Sequence, residues 1–226
     1  MRVYATDEPD VVSSKAPTCL LLDKDKCCIE FGNEALNRAL CALDDGWSKE
    51  TVYCFENFKM KLQGYKGGDR SSGGDCLREP TVAPTIGPSG DGLRVPVRLL
   101  LQQAYFRNME QALERALNSN LAVRSNSDPI VEVTFVITVP AEWSNPARDL
   151  VRSAAADAAE DAVGKTLPDQ DPRINVLMLA EPEAACQSAT VEDPVSIWET
   201  IMTVDGGGGT FDMTIHSIGK TLTPHP

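Results

Sequence analysis

The chain has no apolar run of the roughly 20 residues needed to cross a bilayer. Its N-terminus, Met-Arg-Val-Tyr-Ala-Thr-Asp-Glu-Pro-Asp, lacks the apolar stretch of a secretory signal. Basic charge is also short: 21 Lys and Arg stand against 33 Asp and Glu, a formal net charge of −12. The basic footprint of a non-specific nucleic-acid binder is therefore missing. The two histidines are His216 and His225, the second in a Pro-flanked tail, and no Ser–His–Asp arrangement is supported. The seven cysteines, Cys19, Cys27, Cys28, Cys41, Cys54, Cys76 and Cys186, form no Cys-x-x-Cys pair and have no histidine at zinc-site spacing. Reduced thiols in a cytosolic or nuclear protein are the expectation, with cytoplasmic residence and no nucleic-acid or membrane partner. No internal repeat is evident.

At 226 residues and 42% hydrophobic content, the chain is ordinary for a globular protein of one large or two small domains. Ala16-Pro17 ends a polar start. Thr18–Leu22 reads as a strand, 23–26 as a turn and Cys27–Phe31 as the returning strand. Ala35, Leu36, Ala39 and Leu40 follow with helical spacing. Val52–Leu62 fits either element, and Lys59 within it reads most simply as a solvated surface lysine. The stretch 64–91, rich in Gly, Ser and Pro, reads as a long loop or insertion. From Pro96, the spacing of Val97, Leu100, Leu101, Ala104, Met109, Ala112, Leu113, Ala116 and Leu117 predicts a long amphipathic helix stopped at 118–120.

Ile130–Val139 is the strongest strand, with a second half apolar enough to expect burial on both faces. Ser144-Asn145-Pro146 then supplies an N-cap and a first-turn proline. An alanine-rich stripe from Ala147 to Ala162 follows, and Gly164 is placed to end the helix. Ile174–Leu179 is a second buried strand, so strand, helix and strand form a βαβ unit with a parallel pair. Gly-Lys-Thr occurs at 164–166 and at 219–221, but the glycine a P-loop requires five residues earlier is Ala159 in one case and Thr214 in the other.

Near the C-terminus, Val-Asp-Gly-Gly-Gly-Gly-Thr-Phe-Asp-Met-Thr-Ile (204–215) sets four glycines between Asp205 and Thr210, with Asp212 close behind. The flanks alternate with period two, as in a hairpin. Glycines let a backbone approach a ligand closely. Successive N–H groups in such a turn cradle anions, and flanking carboxylates suit a metal that offsets phosphate charge. A plain Gly-rich turn with two solvated acids is the alternative.

Three blocks stand in order: Phe-Val-Ile-Thr-Val-Pro-Ala-Glu-Trp (135–143), Leu-Ala-Glu-Pro-Glu-Ala-Ala (179–185) and Asp-Gly-Gly-Gly-Gly-Thr-Phe-Asp (205–212). Together they resemble the nucleotide-binding domain of the heat-shock protein 70 family, within the actin-like ATPase superfamily. The Glu-Pro-Glu-Ala-Ala form, with Ala-Pro-Thr-Cys-Leu-Leu-Leu (16–22), Phe-Gly-Asn-Glu-Ala (31–35) and Phe-Glu-Asn-Phe-Lys-Met-Lys (55–61), is similar to the divergent branch of large Hsp70-like proteins.

The resemblance implies an α/β fold of the actin-like ATPase (ribonuclease H-like) type, present in part. Residues 1–190 would be most of lobe I, with 64–91 as a loop or insertion, and 191–226 the first hairpin of lobe II. It implies ATP or ADP with Mg²⁺ as cofactor, and nucleotide, client proteins and co-chaperones as partners. Asp205, Gly207, Gly208, Gly209 and Thr210 would form the second phosphate loop, with Gly206 where the family usually has a larger residue. Asp205 and Asp212 would hold Mg²⁺ through water, and Glu181 would position the metal's water shell or the attacking water. Lys59 is similar to the catalytic lysine. Pro140 and Arg148 match residues that couple nucleotide state to the substrate domain. Plainer roles stay open beside these: Glu181 as a strand end before a proline, and Arg148 as a solvated helix residue.

The family also has a first phosphate loop with a Gly-Thr-Thr-like turn and a Gly-Gly adenosine-binding stretch. Residues 1–16 do not match the first, and the 14 residues after Asp212 do not contain the second. One expectation is therefore a fragment of an ATP-binding chaperone-type ATPase, with weak or absent ATP binding and no turnover by itself. The other is a non-enzymatic scaffold or interaction remnant.

Overall fold

The computed structural model describes residues 18–44, 52–67, 79–87, 92–118, 130, 132–192, 200–206 and 211–217. Strands β1 (Cys19–Asp23) and β2 (Cys28–Phe31) form the expected hairpin. Its turn is held by the Asp23 carboxylate, which accepts from the backbone N–H of Asp25 and of Cys27, while Lys26 adopts a left-handed φ of 65°. Helix α1 (Gly32–Asp44) follows. Strand β3 (Val52–Glu56) pairs antiparallel with the other edge of β1, so β1 is central and Leu20, Leu21 and Leu22 are fully buried. The ambiguous stretch 52–62 is two elements. β3 gives way at Asn57, with φ 53°, to a short 3-10 helix (Phe58–Leu62).

The stretch 64–91 is structured where it is described. β4 (Thr81–Val82) pairs with β5 (Val95–Pro96). The segment beside β4 docks on β3 through Cys54 N–H to Ile86 O at 2.7 Å and Thr85 N–H to Cys54 O at 2.8 Å. These bonds satisfy backbone groups that a buried sheet edge would otherwise leave unpaired.

Helix α2 (Val97–Asn118) starts directly after Pro96, as its spacing predicts. β6 (Glu132–Val139), α3 (Asn145–Thr166) and β7 (Arg173–Ala180) supply the strand–helix–strand unit. Asn175, near the start of β7, donates to Glu132 and Thr134, near the start of β6. The paired strands therefore begin at the same end, as a parallel pair does. Leu113, Val133, Val163 and Leu167, joined by Ile130, Phe135 and Ile174, form the core beneath the two helices. The expectation that β6 is buried on both faces is overturned. Val133 and Val139 are buried, but Thr134 and Thr138 are exposed and Val136 is 55% exposed. An apolar run reports what each face tolerates, not what covers it.

α3 is capped as expected, with the Ser144 hydroxyl accepting from Ala147 N–H and Pro146 in the first turn. Gly164 does not end it. The helix continues to Thr166 and closes with Leu167 N–H bonded to Val163 O. Helix α4 (Glu181–Glu192) follows β7 without a break, and β8 (Thr200–Gly206) and β9 (Phe211–Ser217) form the final antiparallel hairpin. By packing, the described residues fall into two units. One takes those within Val136–Glu142 and Met178–Pro226, the other those within Ser13–Phe135 and Trp143–Leu177.

α2 and α3 run in the same direction and are tied at two levels. Arg98 pairs with Asp157 and reaches Ser153. Further along, the Lys165 ammonium pairs with Glu110, which also meets Arg107 at 3.4 Å. Glu110 is 7% exposed, and the hydrogen bond from Lys165 holds its carboxyl below the usual range against the opposing effect of burial. A depressed carboxyl contributes stability that is present above its unfolded value and lost as pH falls through the folded one. Glu110→Gln should therefore cost roughly 1–3 kcal/mol at neutral pH. The gap to the parent chain should close in acid, below the ordinary carboxylate range, in denaturant titrations run across pH. An equal gap at every pH would mean that packing, not charge, is what the substitution removes.

Candidate functional site

The expected site residues divide between the two units. In the unit holding the C-terminal hairpin, the β8–β9 register sets Asp205 directly opposite Asp212 and Gly206 opposite Phe211. The connection is thus the four residues 207–210, and Gly207, Gly208, Gly209 and Thr210 lie outside the described residues. Positions 203 and 214, then 201 and 216, continue the same line of opposed pairs, and Thr214 Oγ1 and His216 Nε2 are 3.0 Å apart. The alternate positions are exposed and apolar: Met202 at 53%, Val204 at 48%, Met213 at 62% and Ile215 at 70%.

α4 packs against both β8 and β9. Glu181 is its first residue, half-buried, with Pro182 behind it and Glu183 in the same turn. Two acids there complement the positive end of the helix dipole, and Pro suits the first turn. Glu181 therefore opens a helix and is not merely a strand end. Pro140, buried directly after β6, belongs to this unit as well.

In the other unit, Lys59 sits in the 3-10 helix, half-buried, with its ammonium 5.5 Å from the centroid of the Trp143 ring. It is not the solvated surface lysine of the plainer reading. Arg148, in the first turn of α3, is half-buried and donates from Nε to the Trp143 carbonyl at 3.1 Å. Trp143, 6% exposed, thus engages both expected cations, one with its ring and one with its backbone. Its neighbour Ser144 donates its hydroxyl to the Tyr65 carbonyl while capping α3. The structure therefore brings Lys59 and Arg148 together through Trp143, and Asp205 and Asp212 together through register. Trp143 was missed as a site residue. It was visible as the last letter of the Pro-Ala-Glu-Trp block, but nothing in the chain marked its ring as the seat of Lys59.

Two opposed carboxylate-bearing positions at the mouth of a Gly-rich turn suit a hard, oxygen-seeking cation and the phosphate it accompanies. Among the described residues, no group of three or more His, Cys, Asp or Glu side chains is placed to hold a metal. No described helix is long and apolar enough to cross a membrane. A surface cleft of about 340 Å³ lies elsewhere, lined by Gln102, Gln103, Phe106, Asp161 and Lys165, and contains none of the expected site residues.

No family model matches the chain. It is 27% identical to heat shock 70 kDa protein 12A of Homo sapiens over 271 residues, covering 96% of this chain and 36% of that protein. The Mus musculus protein of the same name matches with the same identity and coverage. Heat shock 70 kDa protein 12B of Homo sapiens is 30% identical over 188 residues, covering 82% of this chain and 23% of that protein. The chain thus spans about a third or less of the length of these relatives. The stretch aligned with the 12A proteins exceeds the chain's 226 residues, so gaps interrupt it.

The seat of Lys59 depends on the approach of residues 65–67 to the start of α3. Gly67 has φ +72°, and a Cβ there would lie 3.1 Å from Pro146 Cβ and Cγ. Gly67→Ala should destabilise the chain by about 1–3 kcal/mol through positive φ and crowding combined. Trp143 emission, read in a background where Trp47 and Trp198 are replaced by Phe, should shift with it, because the surroundings of the ring change. Unchanged stability and emission would show that residues 65–67 do not hold this contact.

Proposed function

Because this chain is a divergent member of the Hsp70-like family, we propose that it is part of an ATP-binding, chaperone-type ATPase domain and carries that domain's second phosphate loop. The observation that carries the proposal is the pairing of Asp205 with Asp212 across the Gly-rich connection. In this reading residues 1–190 form part of lobe I and 191–226 the first hairpin of lobe II. Backbone N–H groups of Gly207, Gly208, Gly209 and Thr210 receive phosphate oxygens. Asp205 and Asp212 hold the water shell of Mg²⁺, whose charge offsets that of the phosphates. Glu181 orients water, and Lys59 offers its ammonium to the phosphates. Pro140 and Arg148 relay the nucleotide's presence, Arg148 by way of the Trp143 carbonyl. Phosphoryl transfer depends chiefly on such positioning and charge stabilisation. Cytoplasmic residence, client proteins and co-chaperones belong to the same proposal.

Residues 1–226 offer one phosphate loop and no adenosine motif, so this stretch alone binds nucleotide weakly and does not turn it over. A scaffold or interaction role is the second reading, favoured by the exposed apolar side chains of Met202, Val204, Met213 and Ile215. Titration of the purified chain with Mg-ATP, followed by calorimetry and by NMR of the glycine amides, separates the two. The expected outcome is weak, Mg²⁺-dependent binding that shifts the Gly207–Gly209 signals, is lost in Asp205→Asn, and brings no ATP turnover. Turnover abolished by Asp205→Asn would overturn the inactivity. Glycine signals that ignore Mg-ATP at millimolar concentration would leave the scaffold reading standing.

A further inference from the structure

Outside the phosphate site, two thiols meet inside the three-stranded sheet. Cys19 opens β1 and Cys54 lies in the middle of β3. The register pairs Cys19 with Glu56 and Leu21 with Cys54, so the two cysteines are diagonal neighbours on one face. That face packs under α1, where Cys19, Leu21, Ala35, Ala39, Val52 and Cys54 form a core cluster. Diagonal residues on paired strands are within reach of each other only when their side chains turn inward. Here they do: the two sulfurs are 3.2 Å apart, and both residues are buried, at 1% and 0% exposure. Forming the roughly 2 Å S–S bond brings the sulfurs about an ångström closer and, because diagonal neighbours start at about 7–8 Å, draws the two strands together there as well.

We propose that Cys19 and Cys54 are a redox modification site, a dithiol that a hydroperoxide converts to a disulfide joining β1 to β3. Cys54, as thiolate, attacks one oxygen of the hydroperoxide; the O–O bond breaks and the departing oxygen takes a proton, leaving as water when the oxidant is hydrogen peroxide. Cys54 is then a sulfenic acid. The Cys19 sulfur attacks the Cys54 sulfur, the S–S bond forms, the S–O bond breaks, and the second oxygen leaves as water with the Cys19 proton. The two thiols lose two electrons and two protons, and the peroxide gains them.

The hydrogen bond between the two thiols lets one of them stabilise the other as thiolate. That bond favours ionisation of Cys54, holding it below the ordinary thiol value, and above all else pushes Cys19 up, with burial adding to the rise. At 1% and 0% exposure the pair is shut off from bulky oxidants and alkylating reagents, so the oxidant it would take is a small hydroperoxide. The backbone of Cys54 is fixed on its far side by the bonds to Thr85 and Ile86, which keeps its sulfur facing Cys19. The cross-link would also stand five residues before Lys59, on the strand that runs into the 3-10 helix.

The test uses the full chain, reduced, freed of reductant and treated with hydrogen peroxide in its folded state. It is then unfolded in an alkylating reagent, cut with trypsin and mapped by mass spectrometry. Cleavage after lysine places Cys19 in the peptide 16–24 and Cys54 in the peptide 50–59, each with no second cysteine. The expected product is these two peptides joined, lighter by two hydrogens than their sum and separated by dithiothreitol. Before peroxide, a bulky maleimide on the folded chain should label exposed Cys27 and Cys41 but neither member of the pair. Cys54→Ser should leave Cys19 unlinked to any other cysteine. Recovery of both peptides separately and alkylated, under peroxide that has oxidised Cys27 or Cys41, would overturn the proposal. A disulfide from Cys19 or Cys54 to a third cysteine would do the same.

Discussion

α3 can lie close to its neighbours because almost nothing projects from its buried side. Ala147, Ala154, Ala155, Ala158, Ala159 and Ala162 are all fully buried. α2 packs along the helix, and Val163 and Leu167 at its end reach the strands below. Six methyl groups set how near the backbones approach, and a larger side chain at any of them overpacks the interior at a cost of about 1–3 kcal/mol. The polar ties follow from that approach. Arg98 reaches Asp157 and Lys165 reaches Glu110 only because the helix axes are already close. Lys165 also lies 5.5 Å from the Phe106 ring centroid, so the lysine of the P-loop look-alike at 164–166 serves α2 instead of a phosphate.

A helix held that tightly gives its N-terminus a definite place, and the parts of the site in this unit are built on it. Ser144 caps α3 and holds Tyr65; Trp143 receives Arg148 on its carbonyl and Lys59 on its ring. A lysine over an indole face is drawn to the ring's negative face, worth about 0.5–1 kcal/mol at exposed sites and more when desolvated. Lys59 is thus oriented by a neighbour that does no chemistry of its own. The second group of residues depends on a different constraint, the pairing of β8 with β9. A slip of one residue would turn every side chain to the other face and separate position 205 from 212.

Much of this was legible in the chain. The alanine stripe, the Ser144 cap and the alternation around the glycines each have a local cause, and each element lies where that cause puts it; Pro96, suited to a first helical turn, instead pairs with Thr81 in β5, and α2 starts one residue later. Where several elements cooperate, local patterns say less. Val136 is apolar yet exposed, because covering a sheet face is the business of other segments. Gly164 stands in the last turn of α3 without ending it, because Leu167 closes the helix through Val163. The 52–62 stretch fitted two descriptions because it contains both, with the left-handed Asn57 between them. Asp205, Asp212 and Glu181 were candidates from spacing and resemblance, and the structure adds the opposed register of the first two and the helix start at the third. Trp143 was not among them, since its tie to Lys59 joins residues 84 positions apart.

The division into two packing units has a consequence for how the chain is made. The polypeptide leaves one unit after Phe135, returns to it at Trp143, and leaves again after Leu177. On a ribosome, Val136–Glu142 therefore emerges before any of Met178–Pro226, the residues it belongs with, exists. Its unit cannot close from N-terminus to C-terminus as a simple domain would. The second half of β6, with Ile137 and Val139, must be held by its other neighbours until residues beyond Met178 have been made. Contacts that wait so long carry a high loop-closure cost and leave apolar strand exposed in the interval.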